Sequence, residues 1–210
     1  MSVVTTHRST DRVVLSNIGW ETYESLLKDL ATQSSPRLAY DQGVLEIMSP
    51  YIEHDRAKEI LAYIATIALE ELDVDFEATG STTFKREALK RGFEPDSSFY
   101  IQNAKRVRWK KRLDLEIDPL SELIIEIDIT TESMNKFPIY SALGVSEVWR
   151  YEDSVQIWIL QESRYVRHPA SIAIPILNEA LIAEFMGSSL NMERPAWARQ
   201  TRQRIRELIA

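Results

Sequence analysis

The sequence predicts an α/β fold, a β-sheet with helices packed on its faces. Three observations carry that expectation. Ala57, Ile60, Leu61, Ile64, Ile67, Ala68 and Leu72 recur at helical spacing and predict one long amphipathic helix. Residues 123–129, LIIEIDI, form a nearly continuous apolar run of the kind a strand buried on both faces carries. Strand patterns follow the long helix, and a further helix sits between two strands, as in layered α/β proteins.

Element by element, residues 1–15 read as a frayed arm. Residues 22–30 predict a short helix with Tyr23, Leu26, Leu27 and Leu30 on one side. Strands are expected at 37–40 and 44–48 across the turn Asp41-Gln42-Gly43. Ser49-Pro50 has the form of an N-cap followed by proline at the first helical position, so the long helix is expected from there to about Leu72. Residues 74–78, 82–86 and 97–101 read as strands, with Gly92 and Pro95 punctuating the connection. After the central strand at 123–129, a helix at 137–143 begins near Pro138 and stops at Gly144. Strands at 145–151 and 156–160 flank the turn Glu152-Asp153-Ser154. The end of the chain is polar, then arginine-rich and helical. The expected organisation is an N-terminal arm (1–15), one domain (16–187) and a tail (188–210).

Composition removes several function classes. With 210 residues and a formal net charge of −7, the chain is unlike a basic, non-specific nucleic-acid coat. It has no cysteine, which excludes disulfides, thiolate metal sites and cysteine nucleophiles. The six glycines are too dispersed for a dinucleotide or phosphate-binding loop, and the three histidines are far apart in sequence. The first 15 residues have no secretory apolar core, and residues 60–69 fall far short of the ~20 apolar residues of a membrane helix. The expectation is a soluble, cytoplasmic protein with no membrane partner.

The sharpest chemical pattern is Pro95-Asp96 followed by Glu126-Ile127-Asp128. Alternate residues of a strand face the same way, so Glu126 and Asp128 share a face, and Asp96 begins a neighbouring strand. Such carboxylates would bind Mg²⁺, with Mn²⁺ as an alternative, because hard cations take oxygen ligands. Lys136, just past the strand, offers a positive charge. A turn aspartate and a strand acid paired with an arginine remain the alternative at this point.

Linked motifs then carry a resemblance. They are GVLEIMSP (43–50) with His54, GSTTFK (80–85), GFEPDSSFYI (92–101), EIDIT (126–130), and Lys136 with Tyr140 and GVSEVW (144–149). Together they resemble the Uma2 (DUF820) family from about residue 37 to 185. The resemblance implies a restriction-endonuclease-like PD-(D/E)xK fold, with a mixed central sheet flanked by helices, and a Mg²⁺-dependent nuclease-type site. Asp96 matches the acid of the PD motif and Glu126 the acid of the (D/E)xK motif. Asp128 stands where that motif has its lysine, and Lys136 on the following helix matches the family's relocated lysine. Lys85 is the rival lysine. His54 matches a family position, as a site residue or a helix cap. Glu53 is either a further carboxylate at the site or a solvated first-turn acid. Glu94 reads as a turn residue and Tyr140 as packing.

Lys105, Arg106, Arg108, Lys110, Lys111 and Arg112 surround Trp109 and form a candidate nucleic-acid-binding run, or else a solvated loop. The leading function is a metal-dependent DNA endonuclease, acting as a homodimer. The alternatives are a non-catalytic nuclease-like scaffold that binds DNA or protein and, behind it, a carboxylate-pair glycosidase. Clustered negative charge further suggests that Asp96→Asn or Glu126→Gln holds or raises stability.

Overall fold

The computed structural model describes residues 10–31, 36–129 and 134–210. In chain order the elements are β1 (Thr10–Leu15), α1 (Trp20–Asp29), β2 (Arg37–Asp41), β3 (Val44–Pro50), α2 (Ile52–Glu71), β4 (Glu77–Ala78), β5 (Phe84–Arg86), β6 (Arg91–Phe93), β7 (Ser97–Tyr100), α3 (Ala104–Val107), β8 (Leu123–Ile127), α4 (Phe137–Leu143), β9 (Glu147–Tyr151), β10 (Val155–Gln161), β11 (Arg164–Arg167), α5 (Glu179–Ser189) and α6 (Arg194–Ile209).

The central sheet is mixed, with strand order β11-β10-β9-β8-β7-β4. Strands β8 and β9 run parallel, and α4 supplies the crossover that a parallel pair needs. The remaining neighbours in this sheet are antiparallel. All five residues of β8 are buried, as its apolar run predicts. Its side chains alternate between two cores. Ile125 and Ile127 pack with α2, α5 and α6, against Leu61, Ile64, Ile182 and Trp197. Ile124 packs on the other face with Ile139 and Leu143 of α4 and Phe93 of β6. Glu126 follows the same alternation and projects toward α4.

A second, antiparallel sheet has the order β1-β3-β2-β6-β5. Its outer side is covered by Trp20 and Tyr23 of α1, packed on Leu38, Tyr40 and Leu45. Gly92 on β6 is required by a close approach here: a Cβ would stand 2.4 Å from the Tyr23 hydroxyl and 2.9 Å from Lys85 Cβ. We expect Gly92→Ala to lower stability by about 1–3 kcal/mol, as overpacking does, in a urea unfolding titration.

Several expectations are corrected. Residues 10–15 of the predicted arm are a strand, β1, paired along β3 from Thr10↔Pro50 to Leu15↔Leu45; residues 1–9 lie outside the described residues. That pairing holds Ser49 and Pro50 extended, so they end β3 rather than open a helix, and α2 starts at Ile52. Strand β8 stops at Ile127 instead of residue 129. Strands β6 and β11 and helices α3 and α5 have no clear sequence period, being short or irregular in pattern. Helix α6 is polar outside, yet it buries Trp197, Thr201 and Ile205, and its Arg202 and Arg206 pair with Glu71 of α2. Among the described residues no helix is long and apolar enough to cross a membrane.

Candidate active site

The turn between β6 and β7, the end of β8 and the start of α4 meet above the central sheet. Asp96, in that turn, is 3% exposed, and its Oδ2 accepts a 2.8 Å hydrogen bond from the Ile127 N–H. His54 Nε2, from the first turn of α2, stands 3.2 Å from the same oxygen. Glu126 on β8 is 6% exposed. Lys136 is the N-cap residue of α4, and its ammonium donates to Glu126 Oε2 at 3.0 Å. A cation beside a helix N-terminus opposes the helix dipole, and Glu126 offsets that cost. Lys136 Nζ is also 3.9 Å from Glu46 Oε1 on β3. The structure therefore brings Asp96, Glu126, Lys136 and His54 together from four separate elements.

The cluster is buried, so its charges interact strongly. Burial acts to raise the Asp96 pKa, but the His54 contact, the Lys136 charge and the Ile127 N–H outweigh it and hold the carboxyl below the usual aspartate value. Burial raises the Glu126 pKa, and repulsion from Asp96 adds to this, while Lys136 opposes it without cancelling it. Burial alone would lower Lys136, yet Glu126, Glu46 and Asp96 hold it above the ordinary lysine value. One carboxylate kept ionised, one pushed toward protonation and one firm cation form an asymmetric set, a common property of catalytic sites. The Tyr140 hydroxyl lies close enough to Glu126 to feel its charge. Neither that hydroxyl nor Glu126 Oε1 makes a well-aligned hydrogen bond among the described residues. Tyr140 also packs edge-on to Phe93, with ring centroids 4.7 Å apart.

The other sequence candidates fall elsewhere. Asp128 lines the same cleft as Glu126, as strand alternation predicts. It is held by Arg150 at 2.7 Å, with Arg12 at 3.9 Å. Glu53 is exposed in the first turn of α2 and takes no part in the cluster. Lys85 pairs with Glu24 of α1 at 2.5 Å and lines a different cleft of about 870 Å³, together with Lys111 and Arg112. Glu94 does more than turn the chain, accepting from Leu38 N–H at 2.9 Å and Thr83 Oγ1 at 2.7 Å. In the basic run, Arg108 is taken up by Asp75 and Glu77, and Lys110 by Asp118 at 2.7 Å. Lys105, Arg106, Lys111 and Arg112 are exposed, and Trp109 is 89% exposed.

Sequence reasoning missed two residues of the cluster. Glu46 is 1% exposed; it accepts from Met134 N–H at 2.8 Å and lies 3.5 Å from Arg12 Nε. Its signal is present: an acid inside the apolar strand VLEIM, the same anomaly that marks Glu126 in LIIEIDI. Arg12 carries no such signal, because nothing local distinguishes it from the rest of the polar arm.

A mixed sheet with helices on both faces, and an Asp–Glu–Lys cluster at the C-terminal end of its central parallel strand, place the chain in the nuclease-type α/β class. The Uma2 family model, described as "Putative restriction endonuclease", matches residues 20–191, and the chain belongs to that family. A crystal structure described as a "putative nuclease belonging to DUF820", from Anabaena variabilis ATCC 29413, is similar over 92% of this chain and 99% of that one, at 13% sequence identity and a TM-score of 0.48. No curated protein matches the chain at a significant level.

Proposed function

We propose that the chain is a divalent-metal-dependent endonuclease of the PD-(D/E)xK type that hydrolyses phosphodiester bonds in DNA. The observation that carries this reading is the 3.0 Å approach of Lys136 to Glu126 beside the buried Asp96. It restores the lysine that Asp128 displaces from the strand.

The donor set fits Mg²⁺ or Mn²⁺. Glu126 Oε1 is buried and makes no well-aligned hydrogen bond among the described residues, which leaves a lone pair for a cation. Asp96 and Glu126 would hold it. Among the described residues no three Asp, Glu or His side chains converge as a full protein cage. Mg²⁺ keeps several waters and needs only one or two protein carboxylates. When bound, the ion supplies an activated water and charge stabilisation at a phosphate. Asp96 contributes a carboxylate kept ionised and oriented by the Ile127 N–H and His54. Lys136 contributes a protonated donor, preorganised by Glu126 and Glu46, for the negative charge that develops on phosphate oxygens.

The test is incubation of the purified chain with supercoiled and linear DNA. Cleavage is expected with Mg²⁺ or Mn²⁺, and its loss on chelation or in Glu126→Gln. No cleavage of either DNA, together with no calorimetric heat from Mn²⁺, would favour the second reading, a non-catalytic scaffold for DNA or protein. The observation behind that reading is Asp128, which stands at the motif's lysine position and is engaged by Arg150.

DNA approaches over the basic loop in this proposal, with Trp109 stacking on a base. Trp109→Ala is expected to weaken oligonucleotide binding about tenfold, within the range for one lost base–aromatic stack, while the melting temperature stays unchanged. Anisotropy titration and thermal unfolding check both. A homodimer remains part of the proposal. Its interface would not include Trp149, which is core. A 24 kDa particle in light scattering at micromolar concentration would reject the dimer.

A further inference from the structure

We propose that Arg12 is a substrate-binding residue: β1 carries it into the cleft to hold a phosphate oxygen of the phosphodiester beside Lys136. This rests on the phosphodiesterase reading of the cleft.

Strand β1 lies before the stretch matched by the family model, which begins at residue 20. Register explains why residue 12 is the one that enters. Arg12 pairs with Met48, and Val14 with Glu46, which puts Arg12 and Glu46 on one face of the ribbon as diagonal neighbours within reach of a long side chain. Val13, on the opposite face, is 53% exposed. A one-residue slip would turn Arg12 to the opposite face, away from Glu46.

The Arg12 side chain is 8% exposed, with Nε 3.5 Å from Glu46 Oε2 and Nη1 3.9 Å from Asp128 Oδ1. It lines one cleft with Glu126, Asp128, Lys136 and Arg150. Among the described residues four carboxylates, Glu46, Asp96, Glu126 and Asp128, are set against Arg12, Lys136 and Arg150 in and around this cleft, and Arg150 is shared with Glu152 at 2.7 Å. An anionic phosphodiester entering so acidic a place needs the cations it meets there. Arg12 differs from Lys136 in kind, because a guanidinium offers a planar fork that matches two phosphate oxygens where an ammonium offers one point charge. Glu46 and Asp128 on either side orient the fork. The two cations thus divide the work: Lys136 meets the negative charge that develops in the reaction, and Arg12 holds the bound phosphodiester.

The test uses thymidylyl-thymidine, a ligand with one phosphodiester, titrated against the full chain at saturating Mg²⁺ and followed by ³¹P NMR, with Mg²⁺ affinity measured separately by calorimetry. Arg12→Gln is expected to weaken dinucleotide binding by about 10- to 100-fold, the range for one charge-assisted hydrogen-bonded contact. Mg²⁺ affinity should stay within about threefold, since a contact to phosphate leaves Asp96 and Glu126 in place. Arg12→Lys should recover part of the loss by restoring charge without the fork. The proposal is overturned if the parent chain with Mg²⁺ does not bind the dinucleotide, or if Arg12→Gln binds it equally well. It is also overturned if Arg12→Gln loses dinucleotide, Mg²⁺ and thermal stability together and lysine does not rescue them. Arg12-dependent binding without cleavage of any DNA would sink the nuclease reading and leave this one standing. Cleavage that survives Arg12→Gln unchanged would do the reverse.

Discussion

Lys136→Met is expected to reduce DNA cleavage by about 10²- to 10³-fold, the scale for removing one preorganised donor to developing negative charge. Methionine keeps the length and apolar stem of lysine, so the change isolates the ammonium. Stability should fall as well, because the substitution strips the cation from Glu126 and leaves Glu46 and Asp96 beside it. Breaking a buried ion pair from one side typically costs about 3–5 kcal/mol. Protonation of Glu126 relieves part of this, which gives the deficit a pH dependence. The Glu126 pKa is already raised by burial and by Asp96, with Lys136 pulling it down. Without Lys136 it rises further, so the folded state binds more protons than the unfolded state above the ordinary glutamate pKa, and stability falls as pH rises. The deficit should be small near pH 5 and larger near pH 8 in urea unfolding. A variant that cleaves like the parent would remove Lys136 from the mechanism, whatever its stability.

Asp96→Asn is expected to abolish Mg²⁺ uptake and cleavage, and to lower stability by about 1–3 kcal/mol near pH 7. The sequence expectation that relieved repulsion would preserve stability is revised for this residue. Asp96 accepts the Ile127 N–H and faces His54, and its pKa is lowered despite burial, so the fold favours its ionised form. A depressed folded pKa contributes stability above the unfolded value of about 3.9 and loses it as pH falls through the folded value. The parent and the variant should therefore differ most near neutral pH and converge on acidification. An unchanged difference from pH 7 to pH 2 would mean that the aspartate charge is irrelevant and only its shape matters. Glu126→Gln should behave differently, since burial already disfavours the Glu126 charge. Its stability loss should be the smaller of the two, and its loss of Mg²⁺ uptake as complete.

Much of this site is legible in the sequence because its signals are local. A turn such as Pro95-Asp96, an acid inside an apolar run such as Glu126, and a lysine at a helix start are each readable within a few residues. Strand alternation alone puts Glu126 on the α4 face, and the α4 boundaries at Phe137 and Leu143 follow from Pro138 and Gly144. Glu46 shows the same local anomaly and is readable by the same rule.

Other features have no local signature. Ser49-Pro50 has the chemistry of a helix cap, yet pairing with Asp11 and Thr10, nearly forty residues away, keeps it in a strand. The resemblance favours Lys136 over its rival Lys85, but nothing local to either lysine decides between them; Glu24 of α1 captures Lys85, while Lys136 meets Glu126. The apolar and polar periodicity of this chain determined its α/β class, its central strand and the chemical types gathered at its site, because those depend on neighbours along one segment. Which cations reach that site, and that Arg12 of β1 lines its cleft, was decided only by tertiary pairing, because an edge strand gains its hydrogen bonds, and Arg12 its anionic neighbours, from segments that meet after folding.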